Sequence, residues 1–403
     1  MIIEDNFMDM KYTVKLFLNS VLSFLYYLFR IFPIQNNKIV IDNYAGKGFG
    51  DNGKYIALEL LKRKKYDIVW LTKDTSGIPE GIRTVPYSSF SKPSLKSIYE
   101  QVTARVWIDN LRKDLGVRKR KGQYYIMTWH GGIGPKKIEK EVVDQLPKDY
   151  PKKAQNDSKM ADLMIAESRF TYNKYHTMLW YNGEILKCGT PRQDILFNKP
   201  EGLKENILTM LGVRHDYHIF LYAPTFRDNM TTKDLSIYQI SWKEILKTCK
   251  VKFGGKWIGF IRLHPNVAKL DKQHILEQEN VYDVTNYPDM QELLSVSDIA
   301  LTDYSSCIYD FGLTGRPGFI LASDIEEYTK QRDLGFGEYG MKIVPFPIAK
   351  NNAELCKMIA DFNVGDYKKR LNKFYNDFCG LYPGGHASEI LATRIDNVIQ
   401  NKK

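Results

Sequence analysis

A histidine in a glycine-rich turn is the residue of this chain best suited to proton transfer. The segment TWHGG at residues 128–132 places His130 after an apolar run, and Lys136 and Lys137 follow it. A neutral imidazole accepts a proton near pH 7, glycines let a ligand approach the backbone, and ammonium groups neutralise phosphoryl oxygens. The pattern predicts chemistry on a phosphate, and a histidine simply packed after a strand is the alternative.

Polar side chains also follow three predicted strands in the second half of the chain. The strands are predicted over residues 218–223, 257–263 and 299–301. Because ligands of open parallel sheets bind beyond the carboxyl ends of the strands, the polar groups there should converge on one crevice. The residues concerned are Thr225, Arg227, His264, Ser305 and Ser306.

Ser305 and Ser306 immediately precede a predicted helix over residues 307–313. Backbone N–H groups at a helix start, together with serine hydroxyls, suit the diphosphate of an activated donor without requiring a metal. Asp310, one turn into the helix, is placed to accept hydrogen bonds from ribose hydroxyls. Ordinary capping of the helix beside an empty crevice is the alternative.

The elements that would position these residues alternate short apolar runs with helical patterns, which is typical of parallel sheets with crossover helices. In the first half, a loop containing Gly48 and Asp51 follows a predicted strand over residues 38–42 and precedes a helix over 54–65. A tight turn and an acceptor-contacting loop both fit it, whereas the GxGxxG dinucleotide fingerprint does not. Further strands are predicted over residues 67–71, 106–108, 124–128 and 163–166.

Residues 16–34, before the first strand, are rich in Leu, Phe and Tyr and predict an apolar helix that Pro33 ends. Lys15, Asn19, Ser23 and Arg30 lie on one narrow face at helical spacing, and the remaining circumference is apolar. A helix in a bilayer interface, a helix packed on the protein's own core and a membrane span all remain open, with the polar stripe arguing against the span. No small-residue cleavage site typical of a secretory signal is present in the pattern.

Composition limits the partners. The 43% hydrophobic content allows large buried cores, and the length of 403 residues suggests two or three domains. The net charge of +11 favours anionic partners. The basic runs lack interleaved aromatic residues, which disfavours nucleic acid. Five widely spaced cysteines predict a reducing compartment and no structural zinc, and His215 and His218 have no third ligand nearby, so no metal site is predicted.

The motifs together resemble the CDP-glycerol glycerophosphotransferase family, whose enzymes assemble teichoic acids and related capsule polymers. TWHGG is followed in family order by YAPTFRD at 222–228, RLHP at 262–265, TDYSS at 302–306 and Glu326-Glu327-Tyr328. The resemblance implies an α/β fold of the GT-B type, in which two Rossmann-like domains with parallel sheets face a central cleft behind an N-terminal amphipathic helix. The expected boundaries are 1–35 for the helix, 36–195 for an acceptor domain and 196–403 for a nucleotide-donor domain.

The resemblance also implies roles for individual residues. His130 matches the base that deprotonates the acceptor hydroxyl, and His264 matches a histidine that contacts the donor diphosphate. The implied donor-binding residues are Thr225, Arg227, Arg262, Thr302, Ser305, Ser306 and Asp310. The implied acceptor-side residues are Gly131, Gly132, Lys136, Lys137, Gly48 and Asp51.

The implied reaction is attack of an acceptor hydroxyl on the β-phosphorus of CDP-glycerol or CDP-ribitol, with release of CMP. Charge builds on phosphoryl oxygens, so positioning and preorganised cations or amides should supply most of the catalysis. The implied acceptor is lipid-linked or polymeric, at the cytoplasmic face of the membrane, and a divalent metal requirement stays open. A GT-B glycosyltransferase using a sugar nucleotide is the alternative enzyme, because fold does not decide the transferred group.

Overall fold

The computed structural model describes residues 2–89, 92–226, 238–263, 278–326, 328 and 335–401. The chain divides into two compact units. The first unit comprises Met1–His130, Ile138–Asp194 and Tyr382–Lys403. The second unit comprises Gly131–Lys137 and Ile195–Leu381.

Each unit is built on one sheet flanked by helices. The strands are β1 (Gln35–Asp42), β2 (Asp67–Thr72), β3 (Ile82–Pro86), β4 (Ala104–Asp109), β5 (Tyr124–Met127), β6 (Leu163–Ala166), β7 (Glu184–Lys187), β8 (Tyr217–Tyr222), β9 (Lys256–Ile261), β10 (Val281–Asp283), β11 (Ile299–Thr302), β12 (Gly318–Leu321) and β13 (Ile348–Ala349). The α-helices are α1 (Ile2–Leu28), α2 (Asp51–Lys62), α3 (Leu95–Thr103), α4 (Tyr150–Met160), α5 (Arg169–Met178), α6 (Asp194–Phe197), α7 (Leu203–Met210), α8 (Trp242–Phe253), α9 (Met290–Val296), α10 (Cys307–Gly312), α11 (Asn352–Ala360), α12 (Val364–Asn372) and α13 (Ala387–Ile399). Short 3₁₀ helices cover Phe29–Ile31, Glu139–Gln145, Pro191–Gln193 and Gly337–Ile343, and a π-helix covers Lys373–Cys379.

Both sheets are parallel and have the same kind of strand order. The first runs β3-β2-β1-β4-β5-β6-β7 and the second β10-β9-β8-β11-β12-β13. In the first, Ile41 of β1 is opposite Trp70 of β2 and Ile108 of β4. In each sheet the direction in which successive strands are added reverses once, between β1 and β4 in the first sheet and between β8 and β11 in the second. Such a switch point opens a crevice at the carboxyl ends of the strands.

The strands are apolar on both faces because helices cover both sides of each sheet. Val69 and Trp70 are adjacent in β2, point to opposite faces and are each fully buried. They belong to two separate apolar clusters, one on each face of the first sheet. The predicted architecture of two parallel-sheet α/β domains is confirmed. The strands that the sequence did not reveal are β3, β7, β10, β12 and β13.

The boundaries of the units differ from the predicted ones in two segments. The chain leaves the first unit after Asp194, but residues 131–137 join the second unit and residues 382–403 return to the first. The return has a physical cause, because the apolar face of α13 is buried in the same cluster as α2. Asp194 caps α13 by accepting hydrogen bonds from the backbone N–H groups of Ala387 (3.0 Å) and Ser388 (2.8 Å).

Helix α1 packs against the first unit with one face only. Leu22 and Tyr26 are 2% and 1% exposed, and Asn19 Oδ1 accepts a hydrogen bond from the backbone N–H of Gly116 (2.8 Å). Lys15 forms an ion pair with Asp149. The predicted polar stripe therefore turns toward the protein at Lys15 and Asn19 rather than away from it.

The opposite face of α1 and of the turn after it is apolar and exposed. Its side chains are Val14, Phe17, Val21, Phe24, Leu28 and Ile31, spaced at three or four residues. Thr13–Ile31 is a segment long and apolar enough to cross a membrane by length and composition.

Candidate functional site

His130 follows the end of β5 through a strained residue. Trp129 has a φ of +59°, in the left-handed region that bulky side chains avoid. The main-chain carbonyl of Trp129 accepts a hydrogen bond from Asn52 Nδ2 (3.1 Å), and the indole is 5% exposed. The unusual turn is thereby fixed by burial and a hydrogen bond, and it determines where the His130 imidazole lies.

The tautomer of His130 follows from its hydrogen bond. Nδ1 lies 2.8 Å from the main-chain carbonyl oxygen of Asn110. A carbonyl oxygen only accepts, so Nδ1 carries the hydrogen, and Nε2 of the neutral ring keeps its lone pair. This arrangement gives His130 the proton-accepting atom that a general base requires.

Three further side chains surround His130. Tyr44 Oη donates to Asp51 Oδ2 (2.8 Å), and the Tyr44 ring centroid lies 5.7 Å from that of His130. Arg192 Nη1 donates to the main-chain carbonyl of His130 (2.6 Å) and lies 3.4 Å from Asp51 Oδ2. One carboxylate and one guanidinium therefore lie beside the imidazole, linked to each other.

Burial is the main influence on the protonation of His130. It lowers the pKa of the imidazole from its ordinary value, while the Asn110 carbonyl and the Asp51 carboxylate oppose the shift. The Arg192 guanidinium adds to the lowering. The ring is therefore neutral at pH 7, in the state that accepts a proton.

These residues meet because of the strand order. Tyr44 follows β1 and Asn110 follows β4, on the two sides of the switch point, and Asp51 begins α2. Of this group the sequence identified His130 and Asp51. Asn110 directly follows the β4 strand, so the rule applied to the strand ends of the second half would have found it. Arg192 follows β7, which was not predicted.

The loop between β1 and α2 owes its shape to left-handed backbone. Gly46 has a φ of +80°, and a Cβ there would lie 2.5 Å from Tyr87 Cβ, so only glycine fits. Gly48 has a φ of +57° with open space around it, and its carbonyl accepts a hydrogen bond from Trp70 Nε1 (3.2 Å). Of the two predicted acceptor-side residues in this loop, Asp51 joins the His130 network and Gly48 contacts Trp70.

In the second unit, Thr225 and Asp303 join two strand ends. Asp303 Oδ1 accepts hydrogen bonds from the backbone N–H of Thr225 (2.8 Å) and from its hydroxyl (2.6 Å). Thr302 Oγ1 donates to the main-chain carbonyl of Ala223 (2.7 Å) and is buried. Thr225 and Thr302 thus hold the ends of β8 and β11 together. Asp303 was missed although it lies inside the TDYSS motif.

The Ser305-Ser306 turn precedes α10, close to where the helix was predicted. Ser305 Oγ accepts a hydrogen bond from the backbone N–H of Cys307 (3.4 Å), and both serines are half-buried. Asp310 is 5% exposed and accepts a hydrogen bond from Gln291 Nε2 (2.9 Å).

Three other predicted donor residues follow β8 and β9. Arg262 directly follows β9, and its backbone N–H donates to the Tyr222 carbonyl (2.9 Å). His264 and Arg227, the remaining two, lie outside the described residues.

The glycine-rich loop after His130 belongs to the second unit. A Cβ on Gly134 would lie 3.4 Å from Ser306 Cβ, and the Pro135 carbonyl accepts a hydrogen bond from the Gly335 N–H (3.0 Å). Lys136 Nζ lies 5.9 Å from the ring centroid of Tyr328. Four predicted acceptor-side residues therefore belong to the second unit, namely Gly131, Gly132, Lys136 and Lys137, whereas Gly48 and Asp51 belong to the first.

In the described parts of the chain, no group of three or more His, Cys, Asp or Glu side chains is arranged to hold a metal ion. All five cysteines are free. His218 Nδ1 lies 3.2 Å from Asp298 Oδ1, and the ring stacks on Trp257. His215 Nε2 lies 2.8 Å from Thr209 Oγ1.

Comparison with known proteins gives a family model and curated relatives. The model described as CDP-Glycerol:Poly(glycerophosphate) glycerophosphotransferase matches residues 24–397. A teichoic acid poly(glycerol phosphate) polymerase of Staphylococcus epidermidis is 28% identical over 92% of this chain and 52% of its own length. One of Bacillus subtilis is 26% identical over 90% of this chain and 49% of its own length. The chain thus spans about half the length of these two relatives. A polymerase of the same name from Bacillus spizizenii is 27% identical over 95% of this chain and 97% of its own length.

Solved structures resemble the whole chain. The wall teichoic acid polymerase TagF superimposes with a TM-score of 0.80 at 25% identity, covering 98% of both chains. A histidine-to-asparagine variant of TagF soaked with CDPG gives a TM-score of 0.79 at 25% identity and covers 94% of both chains. A putative UDP-N-acetylglucosamine 2-epimerase of Listeria monocytogenes shares only the fold, at 13% identity and a TM-score of 0.53 over 92% of this chain and 98% of its own. The predicted GT-B-like architecture is confirmed by these likenesses.

Proposed function

Because the chain belongs to the CDP-glycerol:poly(glycerophosphate) glycerophosphotransferase family, we propose that it transfers an alditol phosphate from a CDP-alditol to an acceptor hydroxyl. The product is a growing teichoic-acid-like or capsular polymer, and the leaving group is CMP. The match across residues 24–397 carries this proposal, because it includes both sheets and every motif discussed above.

His130 is the proposed general base. The acceptor oxygen attacks the β-phosphorus of the donor, the bond from that phosphorus to the bridging oxygen breaks, and the hydroxyl proton passes to Nε2 of His130. The Nδ1 hydrogen bond to Asn110 supports this role, because it leaves Nε2 unprotonated and fixes the ring plane. The lowered pKa of the imidazole supports it as well, because the base is neutral before the reaction.

The second unit is the proposed donor domain. Ser305, Ser306 and Arg262 follow β11 and β9 and would bind the diphosphate, with His264 and Arg227 completing the phosphate contacts. Asp310 would contact the ribose. Hydrogen-bond donors and cations held in place by the fold stabilise the charge that develops on phosphoryl oxygens, which is the principal means of catalysis in phosphoryl transfer.

The first unit is the proposed acceptor domain, working at the cytoplasmic face of the cell membrane. The exposed apolar face of α1 supports an interfacial position, because its apolar side chains would enter the acyl boundary while the opposite face stays on the protein. A lipid-linked or polymeric acceptor would then be presented at the same surface. The net charge of +11 favours an anionic membrane.

Donor screening tests the proposal. The protein is incubated with an acceptor and, separately, with CDP-glycerol, CDP-ribitol and a panel of UDP-sugars, and released nucleotides are separated by chromatography. Acceptor-dependent CMP release is the expected result, and the productive donor identifies the alditol. Release of UDP alone would overturn the proposal in favour of a GT-B glycosyltransferase.

A further inference from the structure

A groove of about 680 Å³ runs along the flank of α1 on the first unit. One wall is α1, with Ser20 and Ser23, and the other is α4, with Lys152 and Lys159. Arg118 lies at the groove as well, with its Nη1 donating to the main-chain carbonyl of Val117 (2.8 Å). The lining thus combines three cationic side chains with hydroxyl groups.

The α4 wall presents one helix face to the groove. Lys152, Gln155, Asn156 and Lys159 are spaced by three, one and three residues and therefore share that face. Asn156 Nδ2 is buried and has no hydrogen-bond partner among the described residues. The α4 wall of the groove thus carries two ammonium groups on one helix face, on either side of Asn156.

Neighbouring carboxylates pair with other lysines. Lys153 pairs with Asp114 at 2.9 Å and Lys15 pairs with Asp149. Lys152 and Lys159 are exposed and form no ion pair within the described part of the chain. Together with Arg118 they give the groove an uncompensated positive charge, which complements a phosphate-bearing ligand.

The position of the groove indicates where that phosphate comes from. Ser20 is three residues from Phe17 and four from Phe24, so the groove adjoins the exposed apolar face of α1. When that face lies in a bilayer interface, the groove lies at the level of the phospholipid headgroups. The apolar stripe beside the groove favours a phosphate that is carried by a lipid over a free phosphate.

We propose that this groove binds the headgroup of an anionic glycerophospholipid. Lys152, Lys159 and Arg118 bind the phosphodiester, and the Ser23 hydroxyl binds an oxygen of the headgroup. The inference rests on the proposed interfacial position of α1. It adds to that position the selection of one class of lipid, beyond a general electrostatic attraction to the membrane.

Vesicle binding tests the groove without reference to catalysis. Full-length protein is titrated with vesicles of phosphatidylcholine alone and of phosphatidylcholine mixed equally with phosphatidylglycerol. Lys152→Ala/Lys159→Ala should lower affinity for the mixed vesicles by at least about tenfold, since each lysine near an anionic surface contributes about fivefold. The matched control is Lys368→Ala/Lys373→Ala, which removes two exposed lysines of the second unit and should bind as the wild type does.

A second variant separates a bound headgroup from diffuse attraction. Ser20→Gln fills the groove and leaves every charge in place, and it should reduce the preference for phosphatidylglycerol. An unchanged preference, or an equal loss in the control pair, would overturn the inference. So would displacement by inorganic phosphate at constant ionic strength, or a wild-type dimer that buries α1. Acceptor-dependent CMP release with a soluble acceptor should stay unchanged in all these variants. A loss of lipid preference can therefore be distinguished from a failure of the proposed transferase activity.

Discussion

Nδ1 of His130 donates a hydrogen bond to the main-chain carbonyl of Asn110 over 2.8 Å, and this contact determines which ring nitrogen is free for chemistry. Asn110 follows β4 and His130 follows β5, two neighbouring strands of the first sheet. The acceptor of this hydrogen bond is therefore held by main-chain geometry and not by a side chain that could rotate. The effect of losing the imidazole on transfer activity can therefore be separated from an effect on the fold.

His130→Asn should abolish most of the transfer activity while leaving donor binding intact. An asparagine amide can still donate to the Asn110 carbonyl, but it provides no basic nitrogen, so the rate of CMP release should fall about 10²–10⁴-fold. The donor is proposed to bind the second unit, so calorimetric affinity for CDP-glycerol should match that of the wild type. Weakened donor affinity in the variant would contradict the assignment of His130 to the acceptor side.

The acid limb of the pH–rate profile should lie below the ordinary histidine pKa of about 6.5. Burial lowers the pKa of His130, so the base remains unprotonated at pH values where an exposed histidine is charged. The rate should rise with pH through the lowered pKa and then level off. A profile of kcat/KM against pH measures this, and an acid limb above 6.5 would count against His130 as the base.

Asp51→Asn and Arg192→Met should move that acid limb in opposite directions. The Asp51 carboxylate raises the pKa of His130 and the Arg192 guanidinium lowers it, so the first variant shifts the limb to lower pH and the second to higher pH. Arg192→Lys is the matched control, because it keeps the positive charge while it replaces the guanidinium whose Nη1 contacts the His130 carbonyl and Asp51. Shifts of the same sign in both charge-removing variants would exclude an electrostatic role for the pair.

The sequence singled out individual positions but not the partners that surround them. His130, Asp51 and the Ser305-Ser306 turn were identified because their residue types and strand-end positions are informative in isolation. Asn110 contributes through its main-chain carbonyl, which no residue type reveals. Arg192 depends on β7, a four-residue strand with little pattern of its own.

The bounds of the two compact units differ from the predicted domain boundaries for a similar reason. Helix α13 has the pattern of any amphipathic helix, and only long-range packing against α2 assigns it to the first unit. The α1 polar stripe was correctly located on one face, but side chains that hydrogen-bond to the protein have the same spacing as side chains that face water. Long-range contacts thus determine the unit to which α13 belongs and the direction that the polar face of α1 takes, and local periodicity shows neither.

Asp42→Asn should stabilise the protein increasingly as pH rises. Burial and the neighbouring Asp109 raise the pKa of Asp42 to about 8, so the folded state holds a proton that the unfolded state, with a pKa of about 3.9, releases. The wild type therefore loses stability from about pH 4 to pH 8, and asparagine removes that dependence. Urea unfolding should show the variant gaining on the order of 4 kcal/mol relative to the wild type between pH 5 and pH 8. A constant difference across this range would refute the raised pKa.

Gly46→Ala should be more harmful than Gly48→Ala, although both glycines have positive φ. A methyl group at Gly46 would lie 2.5 Å from Tyr87 Cβ, whereas the one at Gly48 would meet open space. Gly48→Ala should cost only the backbone strain, about 1–2 kcal/mol, and Gly46→Ala should cost more because the loop must shift. Melting temperatures of the two variants, measured side by side, test the difference. Equal decreases in melting temperature would mean that the Tyr87 side chain moves aside at little cost in free energy.

Phe17→Ser/Phe24→Ser should weaken binding to membranes without disturbing the fold. The two rings are 67% and 64% exposed, whereas Leu22 and Tyr26 on the opposite face are buried. Point substitutions are preferable to deletion of residues 1–35, because the deletion would also expose the core and change the stability of the protein. Vesicle flotation should show about tenfold weaker binding or more, since each ring transfers a large apolar area to the interface. Phe197→Ser/Met210→Ser, at exposed apolar positions of the second unit, is the matched control and should float as the wild type does. Unchanged flotation of the α1 variant, with an unchanged melting temperature, would refute an interfacial role for the helix.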